Sequence, residues 1–386
     1  MEAANQTSGP LGESTSGPAS LNGNYHSSGW FSRLRHFLSV RASHPTSSAI
    51  APPASLTSPD LTAFVLLGGG SRGAAQAGAI ATVLEHGICP DVIIGVSAGA
   101  WNGAYLAVDP TPERARALCA IWAGLKNSDL LGGGWWRAAV SAVSGRASLY
   151  SADGPLGVAH RYMEKLFFEE LKTPLHILAT NLTTAQPMLF SAGRLLPAVL
   201  ASSAVPGIFP PMIVDGQVYV DGGLLEWDAC AAALRLGAQK IYLFGCGAVG
   251  ELSPRMTGPR GAAEISRRRM SNGKTPSPAA PDGPELGATV GANLLEVLER
   301  SWDVVSRYQF RRAVEELRAG GADVVSIEPM LPPLSRPLDF SHSEAIIAAG
   351  RAAAEAALTL AEQTALAQMA EAASDHPELP TARLAG

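Results

Sequence analysis

The feature that most constrains this chain is a short apolar strand that runs directly into a glycine–serine turn. Residues 91–108 read DVIIGVSAGAWNGAYLAV and open on a β-branched run, which is typical of a strand buried on both faces. The pattern Gly-x-Ser-x-Gly follows, from Gly95 to Gly99, and alanine-rich helical sequence comes after it. A strand, this turn and a helix in that order predict a nucleophile elbow, which would present the Ser97 hydroxyl at a helix N-terminus.

A second glycine-rich turn precedes the elbow. The strand-like residues 63–67 lead into GGGSRGAAQAG, whose glycines would let backbone N–H groups approach a ligand closely. The same letters match Gly-x-Gly-x-x-Gly, so a dinucleotide-binding unit is an alternative. Such a unit needs an acidic residue at the end of its second strand to bind the ribose. Ser97 stands there instead, which makes the dinucleotide alternative a minor one.

The residue that would activate Ser97 is less obvious from the residues alone. A catalytic triad needs a histidine after the nucleophile, and the candidates are His160, His176 and His342, of which His342 is the best placed. Asp221 is the other candidate, because it ends a short strand and precedes two glycines that permit a tight turn. Both a histidine and an aspartate base therefore remain open at this point.

Four motifs in order resemble the patatin-like phospholipase family: GGGSRG, GVSAGA, ASSAVPGIFPP and DGG, within about residues 62–345. The resemblance implies a three-layer α/β/α sandwich with a mainly parallel sheet and a Ser–Asp dyad of Ser97 and Asp221. It also implies no metal or cofactor, and an oxyanion hole formed by the glycine loop. The matching loop positions are Gly69, Gly70, Ser71 and Arg72, and the remaining motif glycines are Gly68, Gly73, Gly95, Gly99, Gly222 and Gly223.

Some positions depart from the family pattern or compete with Ser97. Val96 stands where the family commonly has threonine, and Gln76 stands where a histidine is common. Neither position carries the dyad chemistry. Ser202 and Ser203 are rival serines, but neither lies on a strand-to-helix turn, so they are interpreted as loop-capping residues.

The function implied by the resemblance is that of a lipid acyl hydrolase of the phospholipase A or lysophospholipase type. It would cleave carboxylic esters of lipids through an acyl-enzyme intermediate. One alternative is a Ser–His–Asp esterase that uses His342 on small soluble esters. Another is a non-catalytic lipid-binding protein, although the presence of both Ser97 and Asp221 argues against it.

The chain is predicted to contain one large folded region with polar additions. Residues 1–60 are rich in Ser, Gly and Pro and indicate a disordered tail, interrupted by a basic amphipathic segment at 28–42. Strands alternate with helices over 61–345, the predicted catalytic domain, which implies a parallel sheet covered on both faces. A flexible insertion is expected at 250–288, and a C-terminal helix and tail at 346–386.

Charge and composition restrict the partners. The formal net charge of −5 argues against a nucleic-acid binder, and no apolar run is long enough to span a membrane. Four scattered cysteines and a polar N-terminus predict a cytoplasmic protein. The segment 28–42 could lie on an anionic membrane, dock on the protein's own surface or have no role. The pair Trp135-Trp136 is compatible with a lid or membrane anchor and equally with a packed hinge. The oligomeric state is not predicted.

Overall fold

A computed structural model describes residues 61–131, 148–163, 165–249, 294–332 and 335–374. Its strands are β1 (Thr62–Leu66), β2 (Val92–Val96), β3 (Leu175–Asn181), β4 (Gln186–Phe190), β5 (Met212–Val214), β6 (Gln217–Asp221), β7 (Lys240–Phe244), β8 (Ala248–Val249), β9 (Asp323–Ile327) and β10 (Met330–Leu331). Its helices are α1 (Gly73–Glu85), α2 (Ala98–Leu106), α3 (Pro112–Gly124), α4 (Asn127–Leu130), α5 (Asp153–Tyr162), α6 (Leu195–Ser202), α7 (Trp227–Arg235), α8 (Leu294–Ala319) and α9 (Ser343–Ser374).

The main sheet has the strand order β5-β6-β3-β2-β1-β7-β9, and β4 pairs with β3 outside this path. The five strands from β3 to β9 in this order are parallel, whereas β4, β5 and β6 run antiparallel to their neighbours. The sheet is therefore mainly parallel, as predicted, but not entirely so. The reversal between β5 and β6 occurs at Asp215 and Gly216, which both have positive φ and close a tight hairpin.

Helices cover both faces of the sheet, which gives the predicted three layers. Side chains alternate along each strand. Val65 and Ile94 belong to a buried cluster with residues of α7 and α8. Ile93 and Leu66 lie next to Gly103 of α2, on the other face. The short hydrophobic strands predicted from the sequence are therefore buried on two sides, as their composition required.

The long C-terminal helix α9 crosses α1 at very close range. A Cβ atom at Gly350 would lie 1.9 Å from the Ala75 carbonyl oxygen, and one at Gly78 would lie 2.2 Å from the Ile347 carbonyl oxygen. Each helix thus contributes a glycine that lets the other backbone approach. The domain boundary predicted at residue 345 falls within the first turn of α9.

Gly350→Ala is expected to lower the free energy of unfolding by about 2 kcal/mol, because the added methyl group overlaps a backbone carbonyl and the helices must separate. This would reduce the melting temperature by roughly 5 °C. Gly157→Ala is the matched control, since a Cβ on this α5 glycine meets open space. It is expected to have no effect or a slight stabilising one. Thermal unfolding monitored by circular dichroism measures both melting temperatures. Equal values for the two variants would contradict the close crossing.

Strand register brings two sequence motifs to one place at the centre of the sheet. Val96, the last residue of β2, is paired with Leu178 of β3. Ala179, the next residue of β3, is paired with Asp221 at the end of β6. The antiparallel strand β6 therefore pairs with the residues of β3 that directly follow those paired with β2. Its last residue meets the turn that follows β2.

Several predicted segments lie outside the described residues, namely the tail 1–60 with its segment 28–42, the pair Trp135-Trp136 and the insertion 250–288. Among the helices that are described, none has the length and apolar character needed to cross a bilayer.

Candidate active site

Ser97 lies on a strained turn between β2 and α2. Its backbone has φ 53° and ψ −117°, a region that residues other than glycine seldom adopt. The turn is tight, and the backbone at Gly99 passes close to the Leu66 carbonyl oxygen. Only glycine fits there, because a Cβ at Gly99 would lie 2.0 Å from that oxygen. The side chain is 5% exposed and precedes the first N–H groups of α2. This is the geometry of a nucleophile elbow.

Asp221 is the partner of Ser97. The Ser97 hydroxyl donates to Asp221 Oδ2 at 2.6 Å, and the Gly223 N–H donates to Asp221 Oδ1 at 2.7 Å. The carboxyl is 1% exposed. Burial raises the pKa of Asp221 to about 7, although the bonds from Ser97 and Gly223 oppose this rise. A carboxyl with a pKa near neutrality can both accept and return a proton at physiological pH.

The histidine alternative does not fit the structure. His342 and His160 are both exposed. His176 is buried in β3, and burial lowers its pKa to about 4. No histidine among the described residues lines either cavity that reaches Ser97. The described residues therefore give no support to the Ser–His–Asp alternative with His342.

The glycine loop meets the elbow, but its four predicted donors are not equivalent. The Ser71 N–H donates to the Pro337 carbonyl at 2.7 Å, and the Arg72 N–H donates to the Gly69 carbonyl at 3.3 Å. The N–H groups of Gly69 and Gly70 have no acceptor among the described residues. The N–H groups of Ser71 and Arg72 therefore already donate to backbone carbonyls, which leaves Gly69 and Gly70 as the better candidates among the four predicted oxyanion donors.

The side chains of Ser71 and Arg72 anchor the loop instead. Arg72 forms a buried bidentate ion pair with Asp303 of α8, and its guanidinium also donates to the Ser335 carbonyl at 3.0 and 3.2 Å. The Ser71 hydroxyl donates to the Arg336 carbonyl at 2.7 Å. The loop is therefore attached to a segment far away in sequence, which fixes its conformation.

Gln76, the departure from the family pattern, is a structural residue. It is fully buried, and its amide nitrogen donates to the carbonyls of Leu67 and Phe244 at 2.7 and 2.9 Å. Asn102 of α2 donates in turn to the Gln76 oxygen at 3.1 Å. Gln76 thus satisfies the carbonyl groups at the ends of β1 and β7, directly beside the glycine loop.

Close packing is common to most of the predicted motif glycines. A Cβ at any of the following would come within 3.0 Å of another residue: Gly69, Gly70, Gly73, Gly95, Gly99 and Gly222. At Gly68 and Gly223 the nearest atoms would lie at 3.2 and 3.0 Å. Gly70 also has φ +61°, a conformation that favours glycine. The motifs therefore bring three backbone segments together around Ser97.

Ser202 is a support of the elbow that the sequence interpretation missed. Its hydroxyl accepts the Ser97 N–H at 2.8 Å and donates to the Leu178 carbonyl at 2.6 Å, in a fully buried position. It is thus not a loop cap. Ser203, by contrast, accepts the Trp101 indole N–H at 2.9 Å. A serine at the end of an otherwise apolar helix was the available signal, since a buried polar group needs a partner.

Ser202→Ala is expected to lower the free energy of unfolding by roughly 1–3 kcal/mol, because it leaves the buried Ser97 N–H and Leu178 carbonyl without partners. Denaturant unfolding measures the change. Ser203→Ala serves as the comparison, and its loss is expected to be smaller since Ser203 is partly exposed. A wild-type stability for Ser202→Ala would show that the elbow does not depend on this bond.

Two cavities reach Ser97 and Gly70, and both are also lined by Val205, Pro337 and Leu338. One has a volume of about 130 Å³ and a mainly apolar lining, which includes Trp101, Tyr105, Leu118, Ile121, Trp122 and Phe340. The other has a volume of about 270 Å³. Most of its lining is also apolar, but it contains six acidic and basic side chains and is therefore termed the charged cavity; they are Arg72, Asp221, Glu226, Asp303, Arg307 and Glu328. In the described part of the chain, no group of His, Cys, Asp or Glu side chains is arranged to hold a metal ion.

The fold and the site define a class: an α/β/α protein with a buried serine–aspartate pair at a nucleophile elbow. Residues 64–229 match the family model described as patatin-like phospholipase. Residues 64–229 are therefore similar to the patatin-like phospholipase family, and the resemblance seen in the motifs is confirmed.

Two curated relatives agree with this assignment. Lysophospholipase nte1 of Aspergillus terreus is 30% identical over 200 residues, which are 50% of this chain and 12% of that protein. Patatin-like phospholipase domain-containing protein 7 of Mus musculus is 27% identical over 187 residues, 48% of this chain and 13% of the relative. The chain thus spans about an eighth of the length of the curated relatives it matches. Among solved structures, the crystal structure of VipD from Legionella pneumophila aligns with 78% of this chain and 67% of its own, at a TM-score of 0.43 and 15% identity.

Proposed function

We propose that this chain is a serine hydrolase that cleaves carboxylic esters of lipids through a dyad of Ser97 and Asp221. The observation that carries the proposal is the buried 2.6 Å hydrogen bond from the Ser97 hydroxyl to Asp221, on an elbow that opens into an apolar cavity. The family assignment and the relatives named lysophospholipase support it.

The reaction would proceed in two steps. Asp221 accepts the Ser97 proton while Oγ attacks the ester carbonyl carbon, and the N–H groups of Gly69 and Gly70 stabilise the negative oxygen. The intermediate collapses, the proton passes from Asp221 to the leaving alcohol, and the acyl group remains on Ser97. Water then gives a proton to Asp221 and attacks the acyl-enzyme, which releases the fatty acid and regenerates the serine.

The two cavities suggest how a lipid ester would lie. An acyl chain has no polar groups to satisfy, so the apolar cavity at Trp101 and Trp122 suits it. The alcohol part would face the charged cavity beside Asp221. A cavity of about 130 Å³ is small, so we expect esters with a single acyl chain of short or medium length to react fastest.

The test is the release of fatty acid from a chromogenic medium-chain ester and from monoacyl and diacyl phospholipids. A pulse of the chromogenic ester followed by acid quench and peptide mass mapping should place the acyl group on the peptide that contains Ser97. Hydrolysis without an acyl group on that peptide would contradict the acyl-enzyme. A folded protein that is inert on all the esters would favour the alternative of lipid binding without catalysis.

The remaining features of the sequence stay predictions. They are the domain limits of 61–345 with an insertion at 250–288, the contact of residues 28–42 or Trp135-Trp136 with a membrane surface, and a cytoplasmic location. The membrane prediction has a direct check, because deletion of residues 1–45 should reduce binding to anionic liposomes.

A further inference from the structure

Glu226 is a second buried carboxyl at the site, and the mechanism above does not use it. It is the N-cap residue of α7, directly after the turn that follows Asp221, and is 3% exposed. Its Oε1 accepts the Gly68 N–H at 2.5 Å. Gly68 is the first residue of the glycine loop, so the carboxyl is attached to the backbone that leads to Gly69 and Gly70.

Glu226 also lies close to the nucleophile. The position of a Cβ on Gly68 is 3.2 Å from Ser97 Cβ and 3.3 Å from Glu226 Oε1, so these two atoms are at most about 6.5 Å apart. Glu226, Ser97 and Asp221 all line the charged cavity. A carboxyl in this position affects both the loop geometry and the charge that an oxyanion would experience.

The charged groups around Glu226 offer it little compensation. The charged residues that line the same cavity are Asp221, Arg72, Asp303, Arg307 and Glu328, and the neutral thiol of Cys246 lines it as well. The buried thiol of Cys230 lies on its own helix. The Arg72 guanidinium is bonded to Asp303 and to the Ser335 carbonyl. Burial raises the pKa of Glu226 to about 8; the Gly68 bond opposes this rise, and the charge of Asp221 adds a smaller contribution to it.

We propose that Glu226 is a positioning residue, which as a neutral acid holds Gly68 and so directs the N–H groups of Gly69 and Gly70 towards the oxyanion. Its neutrality matters because a second negative charge beside Asp221 would repel the oxyanion that forms there. This inference rests on the proposed function of Ser97 and Asp221 and adds the residue that arranges their oxyanion hole.

The test is the rate at which a fluorophosphonate labels Ser97 between pH 6 and 9. In this reaction a bond forms between Ser97 Oγ and phosphorus, fluoride leaves, and no natural substrate is required. The variants are Glu226→Gln, which keeps the acceptor oxygen but cannot ionise, and Glu226→Ala, which loses it. Asp228→Asn, on the same helix but outside the cavity lining, is the control.

For the wild type and Asp228→Asn, the labelling rate should rise through about pH 7 and fall above about pH 8, as Asp221 and then Glu226 ionise. Glu226→Gln should keep the pH 7 rate within about threefold and lose the fall at high pH. Glu226→Ala should be slower at pH 7 by on the order of 10²-fold, the usual loss for an impaired oxyanion hole.

The outcomes separate the two proposals. A wild-type protein that is not labelled at Ser97 would overturn the proposed function. A labelled wild type with an equally fast Glu226→Ala, or with a Glu226→Gln profile that still falls above pH 8, would overturn the role of Glu226 alone. If circular dichroism shows that Glu226→Ala does not fold, the profile of Glu226→Gln decides.

Discussion

Ser97→Ala is expected to reduce turnover of a lipid ester by on the order of 10⁴-fold or more, because no other group replaces a lost nucleophile. The Ser202 hydroxyl is hydrogen-bonded to the Ser97 N–H and the Leu178 carbonyl. The Ser203 hydroxyl is hydrogen-bonded to a carbonyl of α6 and to the Trp101 indole. The fold should persist, since alanine is smaller than serine and faces the same backbone strain. The measurements are initial rates of fatty-acid release and the melting temperature of each purified variant.

His342→Ala is the control for this experiment. Its imidazole is exposed, so the variant should hydrolyse esters at the wild-type rate. A loss of turnover in His342→Ala with an intact fold would restore the Ser–His–Asp alternative. Residual turnover of Ser97→Ala at more than about a hundredth of the wild-type rate would point to a different nucleophile.

Asp221→Asn is expected to have two large effects of opposite kind. Turnover should fall by on the order of 10⁴-fold, since an amide cannot accept the Ser97 proton. Stability at pH 8 should rise by about 4 kcal/mol, because the wild type must bury a carboxylate whose pKa is raised from 3.8 to about 7 and the variant does not. The buried Asp221 thus lowers the stability of the fold while it provides the base that the reaction needs.

The stability effect has a defined pH dependence. The folded-state pKa of Asp221 is about 7 and the usual value is 3.8, so between these values the unfolded chain binds fewer protons than the folded one. The wild-type free energy of unfolding therefore falls as pH rises from about 4 to 7. The side-chain amide of the variant does not titrate, so the advantage of Asp221→Asn should be large at pH 8 and vanish near pH 4. Melting temperatures at both pH values measure this, and a constant difference would contradict a buried, ionising Asp221.

The elbow was predictable from the sequence because its information is local. A β-branched run, two glycines with a serine between them and a small-residue helix specify a buried strand and a tight turn wherever they occur. The reversal at Asp215-Gly216 also carried a local signal, since this dipeptide favours a hairpin turn. The alternation of strands and helices nevertheless favoured a parallel arrangement and obscured it.

The rest of the site depends on contacts that are distant in sequence. Asp221 meets Ser97 because β6 pairs with the part of β3 beyond the end of β2, which no single segment encodes. The Ser71 N–H, a predicted oxyanion donor, is hydrogen-bonded to the carbonyl of Pro337, which is distant in sequence. Glu226 and Ser202 are recognised by burial and hydrogen bonding, and these appear only when the chain is folded.

The pairing of β1 has a practical consequence for protein production. This strand carries the glycine loop, and it is hydrogen-bonded on one side to β2 and on the other to β7. The family match ends at residue 229, before β7 begins. An expression fragment trimmed to the match would begin inside β1 and leave the rest of this strand as an open edge of buried residues, which invites strand-to-strand aggregation. It would also remove the Phe244 carbonyl, which accepts a hydrogen bond from the Gln76 side-chain amide. Such a fragment should be insoluble, so a usable one must extend through β7, β9 and α9.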